Sequence, residues 1–101
     1  MKKISVVLAV YNEEDKLAEC LNSVKDLADE IVIVDGGSAD KTLDIAERFN
    51  AKIIKTNNPP IFHVNKNKAI DAASCDWILQ LDADETVTKE LEQEIKKVIL
   101  N

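Results

Sequence analysis

The feature that most constrains this chain is a fourfold alternation of short apolar runs with segments of helical periodicity. The run ISVVLAV at residues 4–10 is continuous and rich in β-branched side chains, as expected of a strand buried on both faces. Comparable runs occupy residues 30–34, 51–56 and 77–81. Strands that alternate with helices predict an α/β fold, a Rossmann-like three-layer α/β/α arrangement with a mainly parallel sheet of about four strands.

Apolar side chains at helical spacing assign a buried face to three of the four predicted helices. The third predicted helix, residues 64–73, is assigned without such a face. The faces are Leu17, Cys20, Leu21 and Val24 in the first helix, Leu43, Ala46 and Phe49 in the second, and Leu91, Ile95, Val98 and Ile99 in the last. Trp77, at the start of the fourth strand, is expected in the core.

Polar residues predict where the helices and turns begin and end. Asn12, with Asp15 three residues later, resembles a capping box, and Asp40 is placed to cap the second helix. Asn50 is expected to end that helix, and either Thr86 or Thr88 to cap the last one. The sequence NNPP at residues 57–60 predicts a turn.

Length and charge exclude several classes of protein. The 101 residues suit one globular domain, residues 1–101, and a formal charge of −6 argues against a nucleic-acid partner. The apolar run at residues 4–10 is too short for a membrane span. Cys20 and Cys75 have no metal-ligand spacing and are expected to be free thiols in a reducing compartment, with a disulfide between them as the alternative. Because no targeting segment is recognised, the cytoplasm is the expected location.

Polar residues, most of them acidic, follow three of the predicted strands. Tyr11 and Glu13 come after the first, Asp35 after the second, and Asp82 and Asp84 after the fourth. In parallel sheets, ligands bind beyond the carboxyl ends of the strands, so these side chains are expected at one rim.

The sequence LDADE at residues 81–85 is the sharpest of these acidic motifs. If the strand stays extended through Asp84, Asp82 and Asp84 point to the same face, because side chains alternate. Two carboxylates without His or Cys suit Mg²⁺ or Mn²⁺, with substrate phosphates completing the coordination. An acidic rim can hold a diphosphate only if such a cation lies between them. The alternative is that both residues merely end the strand and begin a helix.

Four blocks resemble a known family: ISVVLAVYNEEDKLAECLNSV, DEIVIVDGGSADKTLDIA, KNKAIDAA and WILQLDADE. In order and at suitable spacing, they are similar to the nucleotide-sugar-binding half of family 2 glycosyltransferases of the GT-A fold. Among these, the likeness is to bacterial enzymes that add sugars to the lipopolysaccharide core. The resemblance implies transfer of a sugar from a nucleoside-diphosphate donor, favouring a UDP sugar, to a glycan or lipid-linked acceptor at the membrane surface, with inversion.

The resemblance also implies roles for individual residues. Ala9 and Tyr11 would hold the base and ribose, Glu13 would contact the nucleoside, and Asp35 would accept a hydrogen bond from a uracil-type ring. Lys66 would approach the diphosphate, Asp82 would lie near the ribose and the metal, and Asp84 would be the main metal ligand. Three simpler roles stay open: Tyr11 as cover for a strand end, Asp35 as a plain turn residue and Lys66 as a solvated helical lysine.

The length of the chain sets a further expectation. Members of the family usually extend well beyond it, with an acceptor-binding half that supplies the general base, so no catalytic base is assigned here. The chain therefore also fits a non-catalytic nucleotide-sugar-binding or assembly module. An unpaired fourth strand would favour a homo-oligomer formed through that strand or the last helix. A nucleotidyltransferase is disfavoured because no glycine follows the first strand.

Overall fold

A computed structural model describes residues 3–57 and 62–100. The strands and helices alternate along the chain as the sequence predicts. The strands are β1 (Ile4–Val10), β2 (Glu30–Asp35), β3 (Lys52–Lys55) and β4 (Trp77–Gln80), and the helices are α1 (Leu17–Val24), α2 (Thr42–Arg48), α3 (Phe62–Ala72) and α4 (Lys89–Leu100). The turn expected at residues 57–60 lies, apart from Asn57, outside the described residues.

The four strands form one parallel sheet in the order β3-β2-β1-β4, which confirms the predicted α/β class. All seven residues of β1 are buried, because strands flank it on both sides and helices cover both faces. Consecutive residues of β1 therefore point into different layers: Val6 and Leu8 pack with α1 and α2, and Val7 packs with α3. These contacts make the three layers.

The helices largely bury the faces predicted for them. All four residues of the α1 stripe are buried, whereas α2 buries Thr42 and Ile45 beside Ala46 and leaves Leu43 half-buried. In α4, only half of the expected stripe is covered: Ile95 and Ile99 contact the core, while Leu91 and Val98 are exposed. The expectation that all four point inward is wrong.

The ends of the helices agree only in part with the sequence signals. Thr88 accepts the Leu91 N–H (3.1 Å) and is the cap of α4, and Asn50 follows α2 with φ of 56°. Asn12 does not cap α1, which begins after Lys16 without a side-chain capping bond. Within residues 3–57 and 62–100, no helix has the length and apolar character needed to cross a membrane.

Candidate donor-binding site

The carboxyl ends of β1 and β4 open into a pocket of about 320 Å³. Six of the seven predicted site residues meet there. The lining consists of Ala9, Tyr11, Glu13, Lys16, Lys66, Asp82, Ala83 and Asp84. Asp35 is the predicted residue that the structure does not bring into this lining. The rule that ligand sites lie beyond parallel strand ends therefore places most of the predicted residues together.

The β1–α1 loop is held in place by the loop that follows β2. The backbone N–H of Asn12 donates to Ser38 Oγ (2.8 Å), and Asn12 Oδ1 accepts the N–H of Ala39 (2.8 Å). The N–H of Glu13 donates to the buried Thr42 Oγ1 (2.8 Å). Asn12 thus joins two loops instead of capping a helix, and its φ of 52° serves that geometry. These three hydrogen bonds, which we call the loop clasp, fix the backbone at Asn12 and Glu13. The Glu13 side chain lines the pocket.

Asp35 lies at the end of β2 and is 1% exposed. Its Oδ2 accepts the backbone N–H groups of Gly37 (3.0 Å) and Ser38 (2.9 Å), and its Oδ1 accepts the Ser38 hydroxyl (2.5 Å). These bonds close the turn between β2 and α2. As the structure stands, Asp35 acts as the turn residue that the sequence left open as its alternative role.

The acidic motif after β4 forms a turn, so the condition of an extended strand through Asp84 is not met. The strand ends at Gln80, and the N–H of Glu85 donates to the Asp82 carbonyl (2.9 Å). The Glu85 carboxylate in return accepts the Asp82 N–H (2.7 Å). Even so, Asp82 and Asp84 are both exposed at the pocket, because the intervening Ala83 is buried against the core.

Helix α1 supports this acidic turn from below at both ends. The Cys20 thiol donates to the Asp82 carbonyl (3.7 Å), and the Val87 N–H donates to Ser23 Oγ (3.0 Å). Burial raises the pKa of Cys20 to about 11, and the charges of Glu85, Asp84 and Asp82 add to the rise. The negative charges of the turn therefore raise the pKa of a thiol that lies inside the core.

Two lysines bring positive charge to the pocket. Lys66 Nζ lies 3.1 Å from Asp82 Oδ1, in a pair whose side chains are 34% and 54% exposed. Lys16 lines the pocket at the start of α1 and was missed by the sequence analysis. Its signal was its position three residues after Glu13, in the turn that leads into the helix. The net charge of −6 therefore does not describe this rim, where cations and carboxylates are mixed.

The carboxylate oxygens at this rim fit a hard divalent cation whose coordination is completed by the bound substrate. Asp82 and Asp84 offer exposed carboxylate oxygens, the donors that Mg²⁺ and Mn²⁺ prefer. In the described part of the chain, no three His, Cys, Asp or Glu side chains converge as a complete metal cage. A pair of carboxylates is enough where phosphate oxygens and water complete the coordination, as is usual for Mg²⁺.

Comparison with known proteins gives consistent results. The profile of "Glycosyl transferase family 2" matches residues 5–99. An uncharacterized glycosyltransferase of Rickettsia typhi, RT0209, is 40% identical over 100 residues, covering 97% of this chain and 33% of its own length. The chain thus spans about a third of the length of such relatives.

Solved structures show the same fold. S. aureus TarS (residues 1–349) in complex with UDP has a TM-score of 0.83 and 30% identity, covering 96% of this chain and 32% of its own. Glucosyl-3-phosphoglycerate synthase from Mycobacterium tuberculosis, also with UDP, has a TM-score of 0.62 and 26% identity, covering 83% and 34%. Both are similar to this chain over most of its length.

Proposed function

The chain belongs to glycosyl transferase family 2, and on that premise we propose that its rim pocket binds the nucleoside-diphosphate sugar of a metal-dependent transfer. The observation that carries the proposal is the meeting of Ala9, Tyr11, Glu13, Lys66, Asp82 and Asp84 in one pocket. UDP complexes of two structural neighbours support UDP as the nucleotide.

The charges of the pocket support the metal in this proposal. Glu13, Asp82 and Asp84 face two lysines, so the lining has a net charge of −1 and repels a free diphosphate. A divalent cation held by Asp82 and Asp84 reverses that sign and supplies Lewis-acid stabilisation of the departing nucleoside diphosphate. Lys66 then exchanges its contact with Asp82 for the diphosphate.

The nucleoside is assigned to the β1 side of the pocket. Ala9 and Tyr11 line that side, and Glu13, whose N–H bonds to Thr42, lines the same pocket and would contact the nucleoside. We retain Asp35 as the predicted base contact, because a carboxylate oxygen has two lone pairs and Oδ1 receives the Ser38 hydroxyl. The N–H of the base would then donate to Asp35 Oδ1, either beside the Ser38 hydroxyl or in its place.

The proposal leaves the transfer step without a base from this chain. Each lining carboxylate already has a binding role in the proposal. The chain spans about a third of the length of its relatives. Inversion, a glycan or lipid-linked acceptor at a membrane surface, and the likeness to lipopolysaccharide enzymes stay predictions. The second candidate is a non-catalytic module that binds the donor without turnover, favoured by the same absence of an assigned base.

Calorimetric titration with UDP, with and without Mn²⁺, tests the donor site. We expect binding to weaken at least about tenfold without Mn²⁺ and in Asp84→Asn. Asp26→Asn is the matched control, because it removes one exposed carboxylate from the turn after α1, at the other end of the sheet. Equal affinity with and without Mn²⁺ would contradict the metal bridge, and absence of any nucleotide binding would contradict the donor site.

A second assay separates the two candidates. The chain is incubated with UDP sugars and Mn²⁺, and release of UDP is followed over time. UDP release that is lost in Asp84→Asn and kept in Asp26→Asn supports an enzyme. Binding without release supports the module.

We also propose that the protein works in a reducing compartment, the cytoplasm. Both cysteines are free thiols, Cys20 buried and Cys75 half-buried. Free cysteines are typical of such compartments. Fractionation of cells that express the tagged chain, followed by thiol labelling of the denatured protein, measures both location and oxidation state.

A further inference from the structure

Asn65 is a polar side chain in the interface between helix α3 and the sheet. Among the described side chains of α3, residues 64–72, the buried ones are Asn65 and Ala69. They are four residues apart and so lie on one face of the helix. Ala69 packs in an apolar cluster with Val32 and Val34. A polar side chain on that face needs a hydrogen-bond partner, because burial without one is costly.

A partner of Asn65 is Thr56, the residue that follows β3. The Thr56 hydroxyl lies 3.3 Å from Asn65 Oδ1 and 3.3 Å from the Asp35 carbonyl oxygen, so its one hydrogen is shared between two acceptors. The Thr56 N–H also donates to the Asp35 carbonyl (2.7 Å). Thr56 is therefore fixed to the end of β2 by its backbone, and its hydroxyl links that part of the rim to α3.

Lys66, the next residue of α3, reaches the opposite side of the rim. Its Nζ lies 3.1 Å from Asp82 Oδ1, just after β4, whereas Thr56 lies just after β3. In the described sheet, whose order is β3-β2-β1-β4, these two strands stand at the two ends. The neighbouring residues Asn65 and Lys66 thus connect α3 to both sides of the rim.

The rotation of α3 about its axis decides where Lys66 points. The ion pair with Asp82 does not fix it, because both side chains are in contact with water and such pairs hold a geometry weakly. The apolar contacts of α3 with the sheet are non-directional and define the rotation less sharply than a hydrogen bond does. Successive helix residues are about 100° apart, so the bond that orients Asn65 also orients Lys66.

We propose that Asn65 is a positioning residue for donor binding, which orients α3 through its bond to Thr56 so that Lys66 reaches the diphosphate. The inference rests on the proposed donor site. When the diphosphate binds, Lys66 leaves Asp82 for it, whereas Asn65 keeps its bond to Thr56. Asn65 is not part of the pocket lining, so its effect on binding passes through Lys66.

A double-mutant cycle tests this role. Mn²⁺-dependent UDP binding is measured by calorimetry for the wild type, Asn65→Leu, Lys66→Met and the double variant. We expect each single change to weaken binding at least about fivefold, and Asn65→Leu to add less than about twofold once Lys66 is replaced, because residues that act through one contact are not additive. Lys68→Met is the matched control, because it removes an exposed lysine from the same helix outside the pocket lining, and it is expected to bind UDP like the wild type.

Changes at Thr56 test the same bond from its other side, including the case in which Asn65→Leu does not fold. Thr56→Val removes the hydroxyl and keeps the shape of the side chain, so we expect it to weaken UDP binding as Asn65→Leu does. Thr56→Ser keeps the hydroxyl and is expected to bind UDP within about twofold of the wild type. Urea unfolding establishes that each variant is folded under the conditions of the titration.

Additive losses in Asn65→Leu and Lys66→Met would overturn the proposal, because Asn65 would then act on another part of the site, such as the turn at Asp35. So would UDP binding that is unchanged in Thr56→Val or in Lys66→Met, or that is lost equally in Thr56→Val and Thr56→Ser. Each of these outcomes leaves the donor site standing as long as the wild type binds UDP with Mn²⁺. A wild type that binds no nucleotide would contradict both proposals.

Discussion

Two acidic turns lie at the same edge of the sheet, and their carboxylates are used in opposite ways. In the turn after β2, the Asp35 carboxylate is buried and accepts three hydrogen bonds from Gly37 and Ser38. In the turn after β4, Asp82 and Asp84 are exposed, and Glu85 closes the backbone in their place. Position at the rim therefore does not define the role of a carboxylate. Its hydrogen-bond partners do.

The sequences of the two turns explain the difference. Gly37 adopts φ of 100°, which lets successive N–H groups converge on Asp35. A side chain at that position would be strained by the backbone conformation, whatever space surrounds it. The turn after β4 contains no glycine, and its one carboxylate–backbone bond comes from Glu85. The carboxylates of Asp82 and Asp84 stay exposed at the pocket, where Asp82 pairs with Lys66.

The largest expected effect is the difference between the two turns in how much their carboxylates contribute to the stability of the fold. Asp35→Ala should lower the free energy of unfolding by about 3 kcal/mol, because two backbone N–H groups and a hydroxyl lose a buried ionic acceptor. Asp84→Ala should change it by less than about 0.5 kcal/mol, as expected of an exposed side chain. Urea unfolding measures both. If Asp35→Ala keeps full stability, the hydrogen bonds of Asp35 do not hold the turn and the contrast between the two turns fails.

A smaller effect on stability is expected at Glu85, whose carboxylate closes the second turn. Glu85→Ala should lower the free energy of unfolding by about 1 kcal/mol, because the Asp82 N–H loses its acceptor at an exposed position. It should also weaken Mn²⁺-dependent UDP binding, since the backbone between Asp82 and Asp84 loosens. Glu85→Gln, which keeps an acceptor oxygen, is the control. Equal effects of both variants on binding would indicate that the charge of Glu85 acts directly.

Periodicity was sufficient to predict most of the fold. The apolar run of β1 and the stripe of α1 depend on local spacing, and both are buried as predicted. The rim site was predictable for a similar reason, because parallel strands deliver their carboxyl ends to one edge whatever the sequence of the loops.

Long-range contacts were not predictable in the same way. Asn12 looks like a helix cap, but its side chain accepts the N–H of Ala39, 27 residues away. A local sequence pattern does not predict a bond over that separation. Leu91, Val98 and Trp77 fit a helical stripe and an apolar strand, so they were expected inside, whereas all three are exposed. Periodicity gives the face of an element that is apolar, whereas the amount of chain available to cover that face depends on the whole fold.

The effect that is smallest at neutral pH tests the charges of the second turn from inside the core. The pKa of Cys20 is raised to about 11 from an ordinary value near 9, first by burial and then by Glu85, Asp84 and Asp82. Between these values the unfolded chain loses the thiol proton while the native chain keeps it, so stability must fall as pH rises from about 9 to 11. Below pH 9 both states hold the proton, and the group has no effect.

Cys20→Ser isolates this contribution, because serine keeps a hydroxyl beside the Asp82 carbonyl and does not titrate in that range. Urea unfolding at several pH values should show a steeper alkaline loss in the wild type than in Cys20→Ser. Asp84→Asn should reduce that difference, since it removes one of the charges that raise the pKa. The corresponding change in the first turn, Asp40→Asn, should leave it unaltered, because Asp40 is not among the charges that act on Cys20. Identical alkaline slopes in the wild type and Cys20→Ser would show that the native pKa of Cys20 is not raised, and a difference unchanged by Asp84→Asn would show that the acidic turn does not act on the thiol.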